Sequence, residues 1–155
     1  MPMVTAASAG SAPSRQARAL GLGGLLPFMA GAAWLLAGPA DPDAQALAAR
    51  VLVAYAATIV AFLGGIHWGL AFAGPGGPPA ARLVWGVVPS LVAWPALLLP
   101  PATGLTLMAG MLVLCYVVDH RVYPRLGLAA WLPLRRRLSV VATLSCAAGV
   151  LALVR

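Results

Sequence analysis

The chain of 155 residues has ten basic and three acidic side chains, a formal net charge of +7, and 62% apolar against 8% charged residues. An ordinary soluble domain is about 25% charged. Here too little polar surface exists to cover a soluble core, and intrinsic disorder needs the opposite composition. Both are excluded, which leaves an integral membrane protein.

All the basic residues are arginines, set singly or in one short run between apolar stretches. No basic face interleaved with aromatics exists to track a phosphate backbone, so nucleic acid is not an expected partner. A lysine-free chain rich in alanine points to a GC-rich, bacterial genome. Cys115 and Cys146 lie inside apolar stretches, where a lone thiol behaves as a small hydrophobe; neither a disulfide nor a metal site is expected.

Residues 1–18 are small, polar and free of acids, and end with Arg15 and Arg18. They read as a disordered cytosolic tail; an organelle transit peptide, which would place the protein in the mitochondrial inner membrane, is the alternative. Five apolar segments follow, in one membrane domain over 19–155. They are residues 19–38, 51–73, 83–99, 102–118 and 138–154. Each reaches the roughly 17–25 residues that a helix needs to cross hydrocarbon. Strand alternation is lacking, and only helices satisfy every backbone group inside such segments. The expected fold is all-α, a polytopic bundle of five transmembrane helices.

Arginine placement orients it. With five spans, Arg15, Arg18, Arg82, Arg121, Arg125, Arg135, Arg136 and Arg137 share one side, against Arg50 and Arg155 on the other. The positive-inside rule then predicts a cytoplasmic N-terminus and a periplasmic C-terminus in a bacterial inner membrane. Within the third segment Pro89 and Pro95 each remove a backbone donor and are expected to bend it.

The second segment is the most informative. Ala57, Ala61, Gly65 and Gly69 recur every four residues, with Gly64 beside them, and small side chains let another helix approach closely. Two readings follow: an internal helix contact, or a homodimer seam through Gly65 and Gly69. His67 is the one ionisable group inside a predicted span, and such groups need a partner or a function. A neutral imidazole hydrogen-bonded to a neighbouring helix is one reading; a proton or substrate role and haem ligation are the others.

Asp119 closes the fourth segment, at the hydrocarbon edge, where an unpaired carboxylate is costly. His67, Trp68, Asp119 and Arg135 all fall within the cytosolic third of the bundle. They form a candidate polar cluster in which Asp119 bridges to Arg135 or His67. The alternative is a local pair of Asp119 with Arg121. The chain carries no nucleotide loop, HExxH, GxSxG, CxxC or paired-carboxylate pattern. No enzyme activity, catalytic residue, metal or cofactor is therefore expected.

Tyr55 with Phe62-Leu63-Gly64-Gly65-Ile66-His67-Trp68-Gly69, then Asp119, Trp131, Leu134-Arg135 and Leu138-Ser139, resembles the domain-of-unknown-function 3429 family, the transmembrane protein 69-like membrane proteins. The resemblance covers about residues 20–154 and implies a small multi-span membrane protein, with no reaction attached. Ala61, where a hydroxyl residue is usual, and Leu132, where an aromatic is usual, depart from it. The expected role is non-enzymatic: packing with, assembling or stabilising partners in the bilayer, either a second copy or another membrane protein. A small proton-coupled carrier using His67 and Asp119 is the alternative, and a haem- or quinone-binding subunit a third.

Overall fold

The computed structural model describes residues 12–38, 40–73 and 79–155. Most of the expected N-terminal tail, residues 1–11, lies outside the described residues. Its last part is helical: α1 (Arg15–Gly23) starts on a Ser14 cap whose hydroxyl accepts from the Ala17 N–H at 3.1 Å. The first helix thus begins before residue 19, where Ser14 satisfies an otherwise orphan helix donor.

The first apolar segment is two helices, α1 and α2 (Leu26–Leu36), which together are long and apolar enough to cross a membrane. Pro27 has no N–H to give the Gly23 carbonyl, so the ladder is interrupted there. The Tyr55 hydroxyl donates to the Gly24 carbonyl at 2.7 Å, replacing a backbone bond at the break. The Tyr55 ring also meets Phe28 edge-on, with centroids 5.0 Å apart.

The second segment lies in α3 (Pro42–Ala73), a helix of 32 residues. At about 1.5 Å per residue it is roughly 48 Å long. That exceeds the roughly 30 Å of hydrocarbon, so its first turns, with Asp43 and Arg50, reach past the apolar layer. The remaining helices are α4 (Ala80–Ala96), α5 (Pro101–Val122) and α6 (Leu132–Leu153), with two short 3-10 turns, Pro124–Leu126 and Ala129–Trp131, before α6. Four described helical segments are long and apolar enough to span a membrane, and α4 is a fifth, shorter apolar helix. The fold is an all-helical membrane bundle of about five spans.

Several ends differ from the hydropathy boundaries. α4 stops at Ala96, and residues 97–99 form a turn. The helix continues through both Pro89 and Pro95. α5 runs past Asp119 to Val122, and α6 starts at Leu132 rather than 138. Hydropathy ends a span at the first charge, whereas a helix continues through a charge that has a partner.

α3 is central and packs against α2, α4, α5 and α6. Its buried face carries Ala49, Val53, Ala56, Val60, Leu63 and His67, spaced three and four residues apart. Leu105, Met108 and Leu112 of α5 and Ala142 and Cys146 of α6 complete the core. Glycines set the closest approaches. A Cβ on Gly64 would lie 2.5 Å from the Gly86 carbonyl oxygen, and one on Gly104 2.7 Å from that of Ala96.

The expected ridge divides along its length. Ala57 is buried and Ala61 partly so, but Gly65 and Gly69 are exposed, and among the described residues a Cβ on either would meet nothing within 4 Å. The internal contact belongs to Gly64 instead. Each four-residue step turns about 40° past a full circle, so the ridge rotates by about 120° between Ala57 and Gly69. It starts against the core and ends facing outward.

Candidate functional site

Asp119 sits in the last turns of α5, 2% exposed. A carboxylate there must be paired and hydrogen-bonded. Arg135, in the first turns of α6, donates to Asp119 Oδ2 through Nε at 2.8 Å and Nη2 at 2.7 Å. His67, on the buried face of α3 and 1% exposed, lies with Nε2 3.0 Å from Asp119 Oδ1. A carboxylate only accepts, so Nε2 carries the proton. Each carboxylate oxygen is thus held by a different helix, and α3, α5 and α6 are joined at one end of the bundle.

The helices place these groups by their geometry. Arg135 and Ser139 are one helical repeat apart on the inner face of α6, while Arg136 and Arg137 turn outward and are exposed. Trp68 does not join the cluster. It follows His67 in sequence and so points about 100° away. Its Nε1 donates to the Leu83 carbonyl at 3.0 Å, and its ring covers Gly86, which fastens α3 to α4. Arg121 is exposed, and no ion pair joins it to Asp119 among the described residues.

Two neighbours complete the site: Tyr123, which carries no sequence expectation, and Ser139, which enters the sequence only through the family resemblance. Tyr123, 4% exposed, lies four residues past Asp119, and its phenol sits against both the carboxylate and the guanidinium. Burial, assisted by the Asp119 charge, pushes the phenol up to about 12, so it remains protonated at neutral pH. Ser139, 5% exposed, has a buried hydroxyl oxygen with no hydrogen-bond partner among the described residues. The four-residue steps from Asp119 to Tyr123 and from Arg135 to Ser139 were readable signals. The buried Nδ1 of His67 likewise has no partner among the described residues.

Beside the cluster is a half-open crevice of about 550 Å³ between α1, α2, α3 and α6. Its wall is almost wholly apolar, and Arg135, Ser139 and Tyr123 line it together with residues such as Leu25, Phe28 and Ile66. Among the described residues no group of three or more His, Cys, Asp or Glu side chains could hold a metal ion.

Fold and site define a polytopic helical membrane protein with a buried His–Asp–Arg triad at one end of the bundle. Residues 13–151 match the family model described as "Protein of unknown function (DUF3429)", and the chain belongs to that family. It is also 40% identical over 82 residues to the protein named "Transmembrane protein 69" from Xenopus tropicalis. That alignment covers 51% of this chain and 31% of the relative, so the chain spans about a third of that protein's length. No solved structure matches.

Proposed function

We propose that this chain is a non-enzymatic membrane protein that packs against and stabilises partners in the bilayer. The observation that carries this reading is the outward stretch of α3. Gly65 and Gly69 are uncovered between Phe62 and Phe72, which are 63% and 77% exposed. Small residues let a second helix approach the backbone closely, and in lipid that packing drives association. The triad supports the reading: both Asp119 oxygens are occupied, the arrangement of a clamp rather than of a group free to turn over substrate. A second copy of the chain is the first partner to examine. Energy transfer between differently labelled copies in vesicles tests it. Transfer that falls with Gly65→Leu supports the reading, and transfer no greater than that of unassociated labels contradicts it.

The orientation proposed is N-terminus cytoplasmic and C-terminus periplasmic, in a bacterial inner membrane. Arginines concentrate at the end that holds the triad, while Asp41 and Asp43 lie at the other. A reporter after Arg155 active only in the periplasm is the expected result.

One observation favours proton carriage as a second reading: Nδ1 of His67 has no partner among the described residues. It requires proton flux across reconstituted vesicles that His67→Asn abolishes.

A further inference from the structure

We infer that the crevice beside the triad holds one acyl chain of an anionic phospholipid, with the lipid's polar end against Ser139 and the surrounding arginines. Three observations carry this. The crevice is continuous with the lipid-facing surface, since Leu20 and Phe62 line it and are 79% and 63% exposed. Its volume and apolar lining suit a flexible hydrocarbon chain. Ser139 is one of the few polar residues lining this wall, and its buried hydroxyl has no partner among the described residues. Such a group costs stability unless something bonds to it, and an ester carbonyl of a lipid is an acceptor at that depth.

Charge selects the headgroup. Arg15 and Arg18 flank the lining residue Ala17, and Arg136 and Arg137 lie between the lining residues Arg135 and Leu138. Among the described residues the only acidic partners within ion-pair distance are those of the triad, where Asp119 is taken by Arg135 and His67. The outer arginines therefore face the headgroup region without protein counter-charges. Anionic headgroups are attracted to such residues by electrostatics that a zwitterionic headgroup does not supply. Ser139 stands one helical repeat deeper than Arg135, about 6 Å along α6. That is the order in which a phospholipid presents phosphate and then ester.

Native mass spectrometry of the purified full chain tests this, after incubation with equimolar phosphatidylcholine and phosphatidylglycerol. A single retained phosphatidylglycerol is expected. Replacing Arg15, Arg18 and Arg136 by Gln is expected to reduce its preference, by about fivefold for each arginine near the surface. Ser139→Ala, which leaves the apolar core intact, is expected to weaken binding about fivefold. Ile66→Trp, which fills the crevice, is expected to remove the adduct. Equal retention of both lipids in the wild type overturns the headgroup assignment, whatever the variants do. Adducts unchanged by Ser139→Ala overturn the ester contact, and adducts that survive Ile66→Trp overturn the crevice as the site. A neutral lipophile that phosphatidylglycerol does not displace overturns the whole inference.

Discussion

Asp119 and Arg135, sixteen residues apart in sequence, meet through two hydrogen bonds of 2.8 and 2.7 Å to one carboxylate oxygen, inside a bundle whose other described acids are at the far end. The pair needs excellent geometry to offset the desolvation of two charges, and His67 supplies the bond to the remaining oxygen. Removing one member strands the other. Arg135→Leu or Asp119→Leu is expected to destabilise the bundle by about 3–5 kcal/mol. The double variant is expected to recover much of that loss, because no charge is left uncompensated. Thermal unfolding of the three variants in one detergent measures the difference. Equal damage in single and double variants would show that the pair's charges do not act on one another.

Gly64 and Gly65 are neighbours with opposite surroundings. A side chain on Gly64 meets the Gly86 carbonyl and Pro89, whereas one on Gly65 meets nothing within 4 Å among the described residues. Gly64→Leu is therefore expected to separate α3 from α4 and to cost at least the 1–3 kcal/mol typical of overpacking. Gly65→Leu is expected to change the melting of the isolated chain by no more than about 0.5 kcal/mol. Melting curves of the two variants, compared in the same detergent, give the answer. The reverse order would place the internal contact on the wrong glycine.

Tyr55 holds the break between α1 and α2. Tyr55→Phe keeps the ring against Phe28 and removes only the 2.7 Å bond to Gly24. The bond is part-buried, so its loss costs about the 0.5–1.5 kcal/mol net worth of a typical hydrogen bond. The loss is expected to fall on the first span, seen as faster amide exchange in residues 20–30 than in α5. Unaltered exchange would mean that water replaces the phenol there.

The Tyr123 phenol gives the molecule an alkaline limit. Its pKa is raised by burial and then by Asp119, from 10.0 to about 12. A group whose pKa is raised on folding contributes stability in full below its unfolded value, and loses it as pH climbs through its folded value. Wild type is expected to lose stability between pH 10 and about 12 by more than Tyr123→Phe does. Parallel pH profiles for the two chains would contradict the burial of this phenol.

The apolar segments were legible because the cost of exposing peptide groups to lipid leaves long helices as the available solution. Asp119 stood out for the same reason: in so apolar a chain, one acid on the arginine-rich side needs a cation. Which cation was not legible, since Arg121 and Arg135 are both within reach in sequence and only helix rotation turns one inward. Rotation also decided the glycines. A four-residue spacing marks a stripe but not where the stripe leaves the core, so Gly65 and Gly69 looked internal and Gly64 carries the contact. Tyr123 is not legible because a lone hydroxyl hardly alters hydropathy, and Ser139 is marked only by the family resemblance. Trp68 shares the cytosolic third of the bundle with His67, but successive helical residues face different neighbours.

The uncovered glycines of α3 form the proposed assembly face. Its most direct test is a photocrosslinking side chain placed at Gly69 in native membranes, with Leu91, 63% exposed on α4, as the control position. A discrete protein adduct equal in mass to two copies of the chain, formed from position 69 and lost on Gly65→Leu, is the predicted result. Lipid adducts alone at position 69, or the same protein adducts from both positions, would contradict it.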